Sequence, residues 1–172
     1  MTTKDLTSSE TENYFGRYIT LVPEDMALLD ALPYSLGLLE QSLANASDAT
    51  YDYRYADGKW TIKEVLAHLI DTERIFNYRA LRFARKDDTP LAGYDHNSYA
   101  DYSRANERTP TNLLDELRAV RASTIALFSS FDEAAMLRKG SANALEISVR
   151  ALGFVQSGHV LHHQKILQEK YF

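Results

Sequence analysis

The five histidines are the residues of this chain best suited to bind a metal ion. Three of them, His159, His162 and His163, lie within five residues of one another, whereas His68 and His96 lie far upstream. In a helix, His159 and His163 are one turn apart on the same face. His162 is rotated about 60° from His159, toward the flank of the helix. The spacing therefore predicts that His68, His159 and His163 point into the protein interior.

Three inward imidazoles need a polar partner, because a buried ring nitrogen loses its hydration. A divalent cation would meet this need by taking one lone pair from each neutral ring, and three protein ligands leave a position for water or substrate. Imidazole suits zinc, nickel, copper and iron, so the ligands alone do not select the metal. The segment from His159 to His163 contains no glutamate, so a zincin-type H-E-x-x-H mechanism is unsupported. Geometry alone also allows satisfied core histidines without a metal.

The helix expected to contain His68 has the clearest pattern in the sequence. Thr61 is placed to cap it, and Glu64 completes a capping box three residues later. Apolar residues then recur at helical spacing to about Ala84. The helix expected to contain the histidine pair runs from about Ile147 to Lys170.

Two further helices complete the predicted set. The first is expected to begin at Pro33, which interrupts an earlier helix start at Pro23 and precedes leucines at helical spacing. The third is expected to start after Pro110. Residues 44–55, 91–110 and 131–143 are interpreted as connections, with about one helical turn in the second of them. No alternating strand pattern persists, so the sequence predicts an all-α four-helix bundle.

Composition limits the class of protein. The 172 residues fit a polar N-terminal segment over 1–20 and a single helical bundle domain over 21–172. A net charge of -5 argues against nucleic acid as a partner, and the basic stretch from Arg79 to Lys86 is interpreted as a solvated helix face. No segment has the roughly 20 apolar residues that span a membrane. The absence of cysteine excludes disulfides and thiolate ligands, and we expect a cytoplasmic protein.

Two motifs resemble those of the DinB-like superfamily of metalloenzymes. Its opening motif is similar to the residues from Gly58 to Glu73, GKWTIKEVLAHLIDTE, and its closing motif to those from Gly158 to Gln164, GHVLHHQ. Residues 91–95 and the helix that contains Arg121 fall between them in the matching order. The resemblance covers residues 33–172, and the two motifs together are fairly specific.

The resemblance implies a fold, a ligand set and a range of activities. The fold is a four-helix bundle of up-down-down-up topology, and the metal ligands correspond to His68 on the second helix and His159 and His163 on the last. Known members bind nickel or zinc and often form dimers, so we expect one divalent transition metal and a homodimer. Some relatives are thiol-dependent transferases or isomerases that activate a low-molecular-weight thiol at the metal.

Other side chains are weaker candidates for the site. Asp71, one turn from His68, would orient an imidazole or a metal-bound water, or would simply pair with Arg74. Arg79 projects toward the His68 side, where it would meet an anionic substrate or form an ordinary salt bridge. Tyrosines of the 91–110 connection are candidates to line a pocket: Tyr94, Tyr99 and Tyr102.

Two classes of function follow from these observations. The first is a metal-dependent enzyme that acts on a small molecule, either a thiol-dependent transferase or a hydrolase. The second is a non-catalytic binding or interaction domain with a structural, vestigial or absent metal. No second catalytic group is assigned from the sequence, and His96 and His162 receive no role. An open pocket at the histidines would favour the enzyme.

Overall fold

The computed structural model describes residues 1–12 and 14–172. Its helices are α1 (Ser8–Thr11), α2 (Gly16–Ile19), α3 (Leu28–Leu43), α4 (Asp48–Tyr51), α5 (Ile62–Ala84), α6 (His96–Tyr102), α7 (Pro110–Ser129), α8 (Glu133–Met136) and α9 (Val149–Lys170). Its strands are β1 (Lys139–Ala142) and β2 (Leu145–Ser148). Within the described residues, no helix is both long enough and apolar enough to cross a membrane.

Side-chain bonds between α5 and α7 show that these helices are parallel. Glu73 of α5 accepts hydrogen bonds from Arg121 of α7, and Asn77, one turn further along α5, donates to Thr124 at 2.8 Å. The partners advance in the same direction along both helices. Glu73 and Arg121 are almost fully buried, with two bonds of 2.7 and 2.8 Å between them, so this ion pair lies inside the bundle.

Helix α3 is antiparallel to α7. Arg121 donates to Ser35 of α3 at 2.9 Å, whereas Arg118, earlier in α7, donates to Glu40, later in α3. The partners therefore advance in opposite directions. Because α5 and α7 are parallel, α3 is also antiparallel to α5.

Helix α9 is parallel to α3 and closes the bundle. Gly153 faces Leu28 near the start of both helices, and Gln164 donates to Ser42 near the end of α3 at 2.8 Å. Helix α9 also packs against α5, while α3 packs against α7 and α9. The four long helices are thus arranged up-down-down-up, with α3 and α5 at opposite corners, and the predicted fold class is confirmed.

The start of α5 follows the predicted capping box. The Thr61 hydroxyl accepts from the Glu64 N–H at 3.1 Å, and the Glu64 carboxylate accepts from the Thr61 N–H at 2.8 Å. Gly58 precedes this start with a φ of 69°, a left-handed conformation that glycine adopts without steric cost. The helix ends at Ala84, as its apolar pattern predicts.

The predicted start of α3 at Pro33 is wrong. The helix begins at Leu28 and includes Pro33. Proline has no N–H, so the carbonyl of Leu29 loses its helical hydrogen-bond partner. Leu28 and Leu32, which both precede Pro33, are buried in the core, and their burial offsets the lost bond.

The connections contain more structure than the sequence pattern indicates. Strands β1 and β2 form an antiparallel hairpin in which Lys139 is paired with Ser148. Leu91 bonds to the hairpin through the Ser141 carbonyl and the Asn143 N–H, at 2.9 and 3.0 Å. Helix α9 begins at Val149, two residues later than predicted, because Ser148 is its cap. The crossover contains the seven-residue helix α6 rather than a single turn.

Glu10 and helix α2 of the N-terminal segment pack against α9. Phe15, Tyr18 and Ile19 are buried, and the carboxylate of Glu10 accepts two bonds from Arg150 at 2.8 and 2.6 Å. The segment therefore contributes to the core despite its polar composition. The domain boundary after residue 20 stays a prediction.

Candidate metal centre

Three imidazoles from two helices converge on one point. His68 lies in the first half of α5, and His159 and His163 lie one turn apart in α9. The Nε2 atom of His159 is 3.1 Å from the Nε2 atom of His68 and 3.1 Å from that of His163. All three ligand atoms lie within 4.8 Å of one another. The structure thus brings together the three histidines that the sequence selects.

Hydrogen bonding alone does not satisfy this cluster. The Nε2 atom of a neutral imidazole has either one proton or one lone pair. His159 Nε2 can therefore make only one of its two 3.1 Å contacts as a hydrogen bond. Two nitrogen ligands of a tetrahedral zinc ion are about 3.3 Å apart, because each Zn–N bond is about 2.0–2.1 Å long. The residues present fit a divalent transition metal in both ligand type and spacing.

The three rings are kept neutral by their surroundings. Burial, and then electrostatic repulsion from nearby His96, lower the pKa of His68 to about 4. Burial, followed by repulsion from the neighbouring histidines, holds the pKa values of His159 and His163 well below the ordinary histidine value. At neutral pH each ring therefore has a lone pair to donate, which is the form that metal binding requires.

Aromatic and hydroxyl side chains fix the rings in place. The indole of Trp60 lies 4.8 Å from the His68 ring, and the phenol of Tyr18 lies edge-on to His159 at 5.2 Å. The Thr72 hydroxyl is 3.4 Å from Nδ1 of His68 and 2.6 Å from the Tyr94 hydroxyl. When a hydroxyl accepts a hydrogen bond from Nδ1–H, the lone pair is on Nε2, which is the tautomer that binds a metal through Nε2.

The histidines open into a cavity of about 820 Å³, which is within the usual size range of small-molecule sites. Its wall combines aromatic, cationic and polar side chains. These include Tyr18, Trp60, Phe76, Arg79, Tyr94 and His96.

The remaining candidates from the sequence fall in different places. The carboxylate of Asp71 lies 3.9 Å from Arg74, and among the described residues no hydrogen bond joins it to a histidine. The side chain beside His68 that was expected to be Asp71 is instead Thr72. Arg79 and Tyr94 line the cavity, whereas Tyr102 is 84% exposed and lies outside it.

His162 and His96 flank the cluster. The His162 ring lies 5.2 Å from the His163 ring and 5.4 Å from Tyr18. The His96 ring lies 5.9 Å from that of His68. Both line the cavity, but neither belongs to the converging group. The position of His162 agrees with the sequence argument that its side chain is rotated away from the face of His159.

Sequence reasoning did not find Tyr18 or Thr72. Tyr18 belongs to a short helix in a polar segment and reaches His159 only through the packing of α2 on α9. Thr72 follows His68 by four residues, so the i, i+4 rule for helices was the one signal available.

The fold and the histidine cluster define a class of protein, a helical bundle with a candidate metal pocket between two of its helices. The model of the DinB superfamily matches residues 34–167. The chain belongs to the DinB superfamily.

Two comparisons identify related proteins. The chain is 24% identical to "Putative metal-dependent hydrolase YfiT" of Bacillus subtilis (strain 168) over 96 aligned residues. The aligned region covers 55% of this chain and 53% of that protein. The chain thus spans about half the length of this curated relative. The solved structure of YfiT from Bacillus subtilis, a four-helix bundle of unusual topology, superposes with a TM-score of 0.74 at 20% identity and covers 86% of this chain and 89% of that one. At this identity the likeness shows the fold.

Proposed function

We propose that this chain binds one divalent transition metal through the Nε2 atoms of His68, His159 and His163, and that it is a metal-dependent enzyme of the hydrolase type. The observation that supports the proposal is the pair of 3.1 Å contacts at His159 Nε2, which protons alone do not satisfy. The YfiT relative, named as a metal-dependent hydrolase, supports the reaction class.

The protein residues hold the ligands and shape the space beside them. A metal with three protein ligands acts as a Lewis acid and lowers the pKa of a bound water. Trp60 and Tyr18 pack on the His68 and His159 rings and exclude water from those sides. Thr72 keeps the Nδ1 side of His68 occupied, so that Nε2 faces the cavity.

The cavity favours an enzyme over a purely structural metal site. Structural sites are closed by protein ligands, whereas catalytic sites keep an open position. Here the three histidines lie at the wall of a cavity large enough for a small-molecule substrate. The choice between nickel and zinc, the use of a low-molecular-weight thiol and the homodimer stay predictions.

Metal content tests the proposal directly. After reconstitution with zinc or nickel and removal of free ion, elemental analysis should find close to one equivalent per chain. His163→Ala should lose this metal, because two imidazoles are a weak site. His162→Ala should keep it, since that ring lies outside the converging group.

Circular dichroism confirms that each variant is folded before its metal is measured. A wild-type protein that remains nearly metal-free after reconstitution would contradict the site. Equal loss of metal from the two variants would contradict the assignment of His163 rather than His162.

Reaction class requires a separate measurement. Metal-loaded wild type should hydrolyse at least one member of a panel of esters, amides and phosphoesters, and His163→Ala should not. The same panel with an added low-molecular-weight thiol and an electrophile tests the transferase alternative. Full metal occupancy without turnover in either panel would favour the non-catalytic domain.

A further inference from the structure

The cavity wall contains a buried arginine without a counter-ion. Arg79 is only 4% exposed, and its Nη2 donates to the Ala92 carbonyl at 3.1 Å. Among the residues that the structure describes, no carboxylate forms a salt bridge with it; its guanidinium makes one hydrogen bond, to this carbonyl, and lies 5.6 Å from the centre of the Phe76 ring. A guanidinium has five N–H donors, so most of its capacity is unused.

The other buried arginines show what this chain does when an arginine is structural. Arg121 donates two bonds to Glu73, and Arg150 donates two bonds to Glu10. Arg79 departs from this rule. A buried charge without a counter-ion is costly, and burial accordingly lowers the pKa of Arg79. Its place at a cavity suggests that the partner is a ligand.

Arg79 lies on the same face of α5 as His68. The two are eleven residues apart, which is a rotation of about 20° and a rise of about 16 Å in an α-helix. Thr72 and Phe76 lie between them and line the same cavity. Helical side chains tilt toward the N-terminus, so the long Arg79 side chain extends back toward His68.

The charges around the cavity are positive although the chain has a net charge of -5. Arg17 is a second cation of the lining, and its guanidinium bonds to Tyr18 at 2.7 Å rather than to a carboxylate. Asp95 is the one acidic residue among the described lining, and it accepts bonds from the N–H groups of Asn97 and Ser98. Two guanidinium groups and one carboxylate therefore line this cavity, which favours an anionic ligand over a cationic one.

We infer that Arg79 binds an oxyanion group, a carboxylate or a phosphate, of a small-molecule ligand whose other end reaches the three histidines. The planar guanidinium matches both groups through paired hydrogen bonds. Phe76 and Tyr94 supply apolar surface for the middle of such a ligand. The location of the reacting end rests on the proposed function, whereas binding of the oxyanion does not.

Nuclear magnetic resonance of the full chain with 15N-labelled arginine tests the inference. The protein is first stripped of metal, so that no metal ion competes for the anion. Titration with benzoate or phenyl phosphate should shift the Nε–H signal of Arg79 saturably, and neutral benzamide should not. The stronger of the two anions identifies the group that the site prefers.

Calorimetry on variants supplies the matched comparison. Arg79→Met should weaken binding of the preferred anion at least about 10-fold, the loss expected for hydrogen bonds to a charged group. Arg79→Lys should keep the charge but lose the paired geometry, with an intermediate result. Arg85→Met removes an exposed arginine near the end of α5 that does not line the cavity, and it should bind like wild type.

Absence of a saturable shift for both anions would overturn the inference, as would equal binding by Arg79→Met. If Arg79→Met does not fold, the wild-type Nε–H titration decides. The His163→Ala variant separates the two proposals. This variant should lose metal but still bind the anion. Failure of the metal site would therefore leave the anion result intact. Loss of anion binding in the His163→Ala variant would contradict the assignment to Arg79.

Discussion

Thr72 is the residue that connects the histidine cluster to the cavity wall. Its hydroxyl lies between Nδ1 of His68 and the hydroxyl of Tyr94, at 3.4 and 2.6 Å. The residue is buried, so its hydroxyl has few alternative partners. Partners of this type orient a ligand ring and select its tautomer, and removing one typically weakens metal binding by about 10–100-fold.

Replacing the hydroxyl tests this role. Thr72→Val keeps the shape of the side chain and should lower metal affinity by about 10–100-fold, as measured by competition with a chelator. Thr72→Ser keeps the hydroxyl and should stay close to wild type. Unchanged affinity in the valine variant, with an unchanged melting temperature, would show that His68 is oriented by packing alone.

At the scale of elements, the close approach of α2 to α9 completes the site. A Cβ atom added to Gly158 would lie 1.9 Å from the carbonyl oxygen of Tyr18, so the two backbones are in contact there. Gly158 directly precedes His159, and Tyr18 packs on the His159 ring at 5.2 Å. A glycine at this position therefore allows the N-terminal segment to cover the cluster.

Two glycine substitutions should have opposite effects. Gly158→Ala should destabilise the fold by about 1–3 kcal/mol, because α2 must move away from α9. Gly37→Ala is the control, since a Cβ atom there meets nothing within 4 Å, and it should stabilise α3 by up to about 1 kcal/mol. Urea unfolding measures both. A Gly158→Ala protein as stable as Gly37→Ala would contradict the close approach.

At the scale of the whole molecule, the first and last parts of the chain are joined by a buried ion pair. Glu10 is 3% exposed and accepts bonds from Arg150, Ser148 and the Thr7 N–H. Burial alone would raise the pKa of Glu10, but these hydrogen bonds outweigh burial and lower the pKa to about 2. Because the pKa of Glu10 is lower in the folded state, the pair stabilises the protein fully at pH values above the pKa of the unfolded chain. This stabilisation is lost as the pH falls toward the folded pKa.

The pair predicts a specific pH dependence. At pH 7, Glu10→Gln should reduce the free energy of unfolding by about 3 kcal/mol, which corresponds to the lowered pKa. At pH 3 the difference should shrink to about half, because the carboxylate is then already mostly protonated in the unfolded chain but still largely ionised in the folded protein. Urea unfolding at both pH values measures it.

Glu12→Gln is the matched control, because Glu12 is exposed and should change stability by less than about 0.5 kcal/mol. A Glu10→Gln deficit that stays the same at pH 3 would show that lost packing, and not the charge, is responsible.

Local features of the sequence were sufficient to predict the long helices and the three histidines that converge. The capping box at Thr61 and Glu64 fixed the start of α5, and the spacing of His159 and His163 placed both rings on one face of α9. These features depend on neighbours within one turn, so a pattern of residue types is sufficient to predict them. Pro33 misled the same reasoning, because the packing of Leu28 and Leu32 extends α3 through it.

Only the tertiary structure decided what surrounds the histidines. His68 and His159 are 91 residues apart, and Tyr18, Thr72 and Arg79 acquire their meaning from the cavity that they share. Burial of Arg79 without a carboxylate is invisible in the sequence, where the same residue reads as part of a solvated basic face. The physical reason is that desolvation and unmet hydrogen bonds are properties of an enclosed space, and packing of distant segments creates that space.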